Sequence, residues 1–180
     1  MWKTIESEPL LESGYVTVKK DRFQLPDGAV IEDFYTVKIQ DAALVVALTT
    51  DDQILLKSEF RYACGEDVIE CPAGMVETGE EPLATARREL YEETGHKSES
   101  WIYLGPTWES TSKLTNTMHL FLAKDCECVS GQHLDLNEHM ELIKIPFDAA
   151  VDMVMDGKIN ANSSAHAILK VSELRRLGKI

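Results

Sequence analysis

Three glutamates, Glu89, Glu92 and Glu93, stand at i, i+3 and i+4 in a stretch that reads as a helix, and Arg88 precedes Glu92 by four. On a helix this spacing gathers the carboxylates on one face. Like charges so placed destabilise the helix by a few tenths of a kcal/mol per pair. A hard divalent cation offsets that repulsion, because carboxylate oxygens are the ligands it takes. Mg2+ in particular keeps several waters while bridging protein carboxylates to substrate phosphates. A solvated acidic helix face is the other reading, and the three glutamates alone leave both open. With a cation present, this face is suited to meeting the phosphate groups of a substrate.

The elements that must position these groups follow from periodicity and punctuation. Residues 81 to 94 predict a helix with an apolar stripe of Leu83, Ala86 and Leu90. Pro82 suits its first turn and Gly95 its stop. Tyr15 to Lys19 and Ala29 to Ile39 read as strands of a hairpin turned at Pro26-Asp27-Gly28. Ala42 to Thr49 is an apolar run suited to a doubly covered strand, and Gln53 to Arg61 returns after a turn at Asp51-Asp52. Short strands follow at Val68 to Cys71, Trp101 to Pro106, Met118 to Ala123 and Leu142 to Ile145, with loops at Met75 to Glu80 and Thr107 to Thr117. Helices close the chain at Pro146 to Asp156 and about Ser163 to Arg176. Mixed strands interrupted by helices predict an α/β fold, an α/β/α sandwich with a mixed sheet. An N-terminal β-hairpin region, residues 1–40, precedes the main domain, residues 41–180.

Composition narrows the partners. The chain has 180 residues, enough for a real apolar core, and its 44% hydrophobic and 27% charged content is ordinary for a globular protein. A net charge of -13 and the lack of a Lys/Arg-rich block argue against a nucleic acid partner. Cys64, Cys71, Cys126 and Cys128 lack zinc-site spacing and read as structural thiols of a reducing compartment. The first eight residues hold no apolar signal core, and no run is long enough to span a bilayer. The expected place is the cytoplasm, with no membrane association.

The stretch Gly74 to His96 resembles the Nudix family signature: Gly, five residues, Glu, seven residues, Arg-Glu, an apolar residue, any residue, Glu-Glu, any residue, Gly and an apolar residue. Gly74, Glu80, Arg88, Glu89, Leu90, Glu92, Glu93 and Gly95 stand at those spacings, and only His96 departs, where an aliphatic residue is usual. The resemblance implies a Nudix fold, cleavage of a pyrophosphate bond and a Mg2+ site, with Mn2+ as an alternative. That reaction needs neutralised oxygens, an aligned water and a stabilised leaving phosphate, with a general base from another part of the chain. Glu89 and Glu93 are then the main ligands, Glu92 assists, and the Ala73 carbonyl joins them. Arg88 orients the carboxylates, Glu80 braces the loop, and Gly74 permits close backbone approach.

The likeness to the subgroup acting on ADP-ribose runs over nearly the whole chain. Trp2-Lys3 with Leu25 to Gly28, Phe60-Arg61-Tyr62, Glu70 to Gly74 and His119 to Ala123 all resemble it. It implies Arg61 near the phosphates, Glu70 and Met75 at the substrate, and Glu138 as a further metal ligand or the general base. Leu136 replaces a second acid found in some relatives, so both roles of Glu138 stay open. His139 and Glu141 are weaker candidates. Glu109 to Ser112 lacks the proline common in ADP-ribose hydrolases, which brings other nucleoside diphosphate sugars into contention. Trp2 and Trp108 are read as core or interface residues, with stacking on a base or sugar as the other role. The subgroup also implies a homodimer whose N-terminal region helps complete the pocket. The expected activity is Mg2+-dependent hydrolysis of ADP-ribose or another nucleoside diphosphate sugar. The alternatives are a non-catalytic nucleotide sensor and a hydrolase for dinucleoside polyphosphates or coenzymes.

Overall fold

In the computed structural model, which describes residues 1–136 and 138–180, the chain divides into two units. One comprises residues 1–41 with 108–117, the other residues 42–107 with 118–180.

The first unit is an antiparallel sheet of β1 (Lys3–Glu12), β2 (Thr17–Gln24) and β3 (Val30–Lys38), in that order. The predicted hairpin is β2–β3. Its turn is closed by Gly28 N–H on the Leu25 carbonyl and Ala29 N–H on the Asp27 carboxylate, with Gly28 at φ 93°. Sequence reasoning left β1 unassigned. All ten of its residues are exposed, so no apolar alternation marks it, and Pro9 is tolerated because the strand lies at an edge. Tyr15 falls outside β2, because the Ser13 hydroxyl accepts the Tyr15 and Val16 amides and makes a turn there. Trp2, Phe23 and Phe34 form an aromatic row with centroid spacings of 5.2 and 5.3 Å. Residues 108–117 join this unit through a bridge between Leu114 and Val37. Trp2 and Trp108 are each 65% exposed, so neither is a core residue of this chain.

The second unit is built on a mixed sheet. Its elements are β4 (Ala42–Thr49), β5 (Gln53–Arg61), β6 (Glu66–Glu70), β7 (Ala73–Met75), α1 (Pro82–Thr94), β8 (His96–Lys97), β9 (Ser100–Thr107), β10 (Met118–Cys128), β11 (Met140–Pro146), α2 (Phe147–Met155) and α3 (Asn162–Arg176). The central order is β11-β5-β4-β10-β8, with β6 on β5, β7 on β4 and β9 on β10. Among the described strands of this sheet, only β4 and β10 run parallel.

Alternation along the central strands makes two cores. Leu44, Val46 and Leu48 of β4, with Ile54, Leu56, Leu120 and Leu122, pack against Phe147, Ala150, Ala167, Ile168 and Val171 of α2 and α3. Ala43, Val45 and Ala47, with Leu55, Phe121 and Ala123, pack against Ala86 and Leu90 of α1. The arrangement is the expected α/β/α sandwich. Burying each large aliphatic side chain contributes about 1.5–3 kcal/mol, so one face of the sheet holds α1 as a rigid support while the other holds α2 and α3. Among the described residues, no helix is long and apolar enough to cross a membrane.

Candidate active site

Helix α1 starts at Pro82 with no side-chain cap and ends at Gly95, whose φ of 70° and N–H bond to the Tyr91 carbonyl close the last turn. Its sheet-facing side carries more than the apolar stripe. Glu89 and Glu93 are buried there beside Ala86 and Leu90, whereas the Glu92 carboxylate is 38% exposed. The three glutamates therefore do not share one surface, as their spacing suggested. Two are taken into the interior, where an uncompensated carboxylate is very costly.

The chain compensates them with fixed donors. Arg88 Nη1 lies 2.6 Å from Glu89 Oε1 and 3.1 Å from Glu92 Oε2. Its Nη2 donates to the Met75 carbonyl at 3.2 Å and to Glu80 Oε2 at 3.3 Å. Glu80 in turn accepts the Thr85 hydroxyl and the Glu77 amide, which pins the loop before the helix. Glu93 Oε2 accepts the Ala73 amide at 2.9 Å, and Glu93 Oε1 accepts a short hydrogen bond from Lys57 Nζ. Burial pushes the Glu93 carboxyl up to about 7, against the pull of Lys57. Burial also raises Glu89, against Arg88.

Both buried carboxylates converge on the end of β7. Glu93 binds Ala73, and Glu89 lies so close to Gly74 that a Cβ there would sit 1.8 Å from Glu89 Oε1. That close approach is why residue 74 must be glycine; no unusual φ is involved. Strand β7 is itself fixed by its pairing with β4, by Val45 N–H on the Pro72 carbonyl, and by the Ser164 hydroxyl accepting the Cys71 amide from α3.

A second charged row runs along β5. Lys57, Glu59 and Arg61 alternate in phase with Leu55, the residue packed toward α1. Lys57 Nζ lies 3.6 Å from Glu59 Oε2, and Arg61 Nη1 lies 3.2 Å from the same oxygen. Arg61 also holds Glu70 Oε2 through Nε at 2.8 Å and Nη2 at 2.6 Å. The structure thus joins Glu93, Lys57, Glu59, Arg61 and Glu70 in one chain of alternating charge.

Lys57 was missed by sequence reasoning. The available signal was a lysine at an inward position, directly after the apolar run Ile54-Leu55-Leu56. Both Lys57 and Glu93 are only 2% exposed.

Glu138 stands apart from these contacts. Its carboxylate accepts the Asp135 amide at 3.0 Å and so closes its own turn. It lines a shallow cleft of about 540 Å³ with Ser58, Phe60, Asp67, His139 and Glu141. Asn137, within the same predicted segment, lies outside the described residues. The loop nonetheless passes over the end of α1, where His133 N–H and Gln132 Nε2 donate to the Glu92 and Glu93 carbonyls. His96, the departure from the signature, is buried and bonds the Thr94 carbonyl through Nδ1, a packing role.

The donors fit a hard cation in kind. The carboxylates of Glu89, Glu92 and Glu93 and the Ala73 carbonyl are all oxygen ligands, and Gly74 leaves room beside them. Among the described residues, no three acidic, His or Cys side chains converge as a ready-made cation cage. Arg88 and Lys57 hold the carboxylates instead.

A mixed sheet between helices, with a carboxylate-bearing helix packed on a Pro-Ala-Gly strand end, defines the class of domain. Residues 38–162 match the profile of the NUDIX domain, and residues 2–37 match that of the nucleoside diphosphate sugar hydrolase N-terminal domain. The chain belongs to the Nudix hydrolase family. It is 30% identical over 169 residues to the methanol dehydrogenase activator of Bacillus methanolicus, covering 92% of this chain and 90% of the relative. It is 29% identical over 167 residues to the ADP-ribose pyrophosphatase of Bacillus subtilis (strain 168), with the same coverage of 92% and 90%. A crystal structure of an ADP compounds hydrolase superposes with a TM-score of 0.83 at 21% identity, over 99% of this chain and 97% of the other.

Proposed function

We propose that the chain hydrolyses the pyrophosphate bond of a nucleoside diphosphate sugar, ADP-ribose among them, releasing a nucleoside monophosphate and a sugar phosphate. The observation that carries this reading is the convergence of buried Glu89 and Glu93 on the Ala73–Gly74 backbone. Burying two carboxylates side by side is a poor use of a helix face unless they hold a cation. The match of residues 2–37 to a nucleoside diphosphate sugar hydrolase domain supports the substrate class.

Glu89, Glu93, Glu92 and the Ala73 carbonyl would hold Mg2+, with Mn2+ as a substitute. A bound divalent cation supplies charge neutralisation at the diphosphate oxygens. Arg88 keeps Glu89 and Glu92 aimed by charge-assisted hydrogen bonds. Arg61 offers a half-exposed guanidinium to the phosphates while Glu70 and Glu59 fix its plane. Met75, exposed at the end of β7, would contact the substrate at the rim. A water oxygen attacks one phosphorus, and the bridging oxygen departs with the other phosphate. Glu138 takes the water proton, or serves as a further ligand, once its turn at Asp135 opens. The N-terminal region, residues 1–40, would pair with a second copy of the chain through the exposed strand β1 and help complete the pocket. A net charge of -13 disfavours nucleic acid. Four free cysteines support a reducing cytoplasm.

The test is turnover of a panel of ADP-ribose and other nucleoside diphosphate sugars in saturating Mg2+, with products identified by mass. Paired monophosphate products are expected. No turnover above a Glu93→Gln control would refute the reading.

A further inference from the structure

We propose that Lys57 is a resident counter-ion, which holds Glu93 in the metal-free protein and gives way to the divalent cation, so that residue 57 sets the cation affinity of the site. The proposal rests on reading Glu89 and Glu93 as cation ligands.

Both oxygens of Glu93 are engaged. Oε2 receives the Ala73 amide and Oε1 receives Lys57 Nζ. Mg2+ binds carboxylate oxygen at about 2.1 Å. A divalent ion at that distance and an ammonium on the same oxygen repel each other strongly in a dry interior. One must leave, and the structure holds a destination for the ammonium. Glu59 Oε2 is buried with no well-formed hydrogen bond, 3.6 Å from Lys57 Nζ. Arg61 Nη1 lies 3.2 Å from that oxygen as an ion pair and leaves its hydrogen-bonding capacity unfilled. The four-carbon stem of Lys57 lets Nζ swing from one carboxylate to the other without moving the strand. Strand β5 is fixed by β4, β6 and β11, so the swing is confined to the side chain.

This placement also accounts for a lysine at an inward position. In the metal-free protein an apolar residue at 57 would leave Glu93 buried and without a counter-ion, which is strongly destabilising. Lysine keeps the empty site folded, at the expense of competing with the ion the site exists to bind.

The experiment titrates Mn2+ into the wild-type protein, Lys57→Met, Glu59→Gln and Glu93→Gln by electron paramagnetic resonance, with thermal melts in EDTA and in saturating Mn2+. Lys57→Met should bind Mn2+ at least tenfold more tightly than wild type. It should melt lower in EDTA and regain most of the loss with Mn2+. Glu59→Gln should weaken Mn2+ binding at least threefold, having lost the place where Lys57 settles. An affinity of Lys57→Met equal to or weaker than wild type overturns the proposal. If Lys57→Met fails to fold, Glu59→Gln decides, and an unchanged affinity there overturns it. Wild-type Mn2+ binding that Glu93→Gln leaves intact would instead sink the ligand reading itself.

Discussion

Gly74→Ala separates the stability of this fold from the geometry of its site. An added Cβ would lie 1.8 Å from Glu89 Oε1, 2.2 Å from Cδ and 2.7 Å from Oε2. Ordinary contact starts at 3.4 Å, so the nearest oxygen must retreat by about 1.6 Å, the difference of the two distances. The obstacle is the far end of a flexible side chain, and Gly74 has no positive φ, so the backbone need not yield. Restricting the unfolded chain contributes about 0.4–1 kcal/mol in favour of alanine. Disturbing the Arg88–Glu89 pair costs about the same or somewhat more. The melting temperature should therefore stay within about 5 °C of wild type. Function should not survive so well, because a misplacement near 1 Å in such a site costs on the order of 100-fold in rate. The assay is kcat/KM on the best nucleoside diphosphate sugar, with Mn2+ affinity and a thermal melt on the same preparation. A variant with kcat/KM within threefold of wild type would refute the placement of Glu89 at the reacting centre. A variant that no longer folds would refute the claim that only the side chain must move.

Other outcomes follow from the same geometry. Gly95→Ala should behave in the opposite way, since its φ is 70° and a Cβ would meet the Ser130 carbonyl oxygen at 2.2 Å. A loss of about 3 kcal/mol or more in chemical denaturation is expected, and a loss below about 1 kcal/mol would contradict it. Arg88→Ala strips Glu80, Glu89 and Glu92 of a shared donor and should cost about 3 kcal/mol, with Arg88→Lys recovering only part because a compact ammonium lacks the planar fork that reaches them through Nε, Nη1 and Nη2. Full rescue by lysine would count against the bridging role. The Glu93 carboxyl is raised by burial from 4.5 to about 7, so the folded chain holds a proton that the unfolded chain has lost between those values. Its contribution to metal-free stability is therefore full below about pH 4.5 and is lost as pH rises through about 7. Denaturation in EDTA from pH 5 to 8 should show this fall relative to Glu93→Gln; a rise would reverse the assignment. Burial pushes the Cys71 and Cys126 thiols up to about 12, while Cys64 and Cys128 are exposed. A thiol reagent should modify two groups quickly and the other two only after unfolding.

The local pattern in the chain decided a good deal. Apolar alternation in Ala42 to Thr49 and the stripe of Leu83, Ala86 and Leu90 report burial directly, and burial is what orients a strand or helix. The spacing of Gly74, Glu80, Arg88, Glu89, Glu92, Glu93 and Gly95 marked one end of the candidate site for the same reason: a helix converts spacing into a face. What lies within one turn of helix, or one step of strand, can be counted along the chain.

Tertiary structure decided what no count along the chain contains. Strand β1 carries no burial signal, and only its pairing with β2 makes it a strand. The division of the glutamates into two buried and one half-exposed depends on which way α1 rolls against its sheet. The pairing of Lys57 with Glu93 spans 36 residues and two elements, and rests on the register of β5 beneath the helix. Spacing tells which groups travel together along the backbone; packing alone tells which carboxylates lose their water, and which cation must then stand beside them.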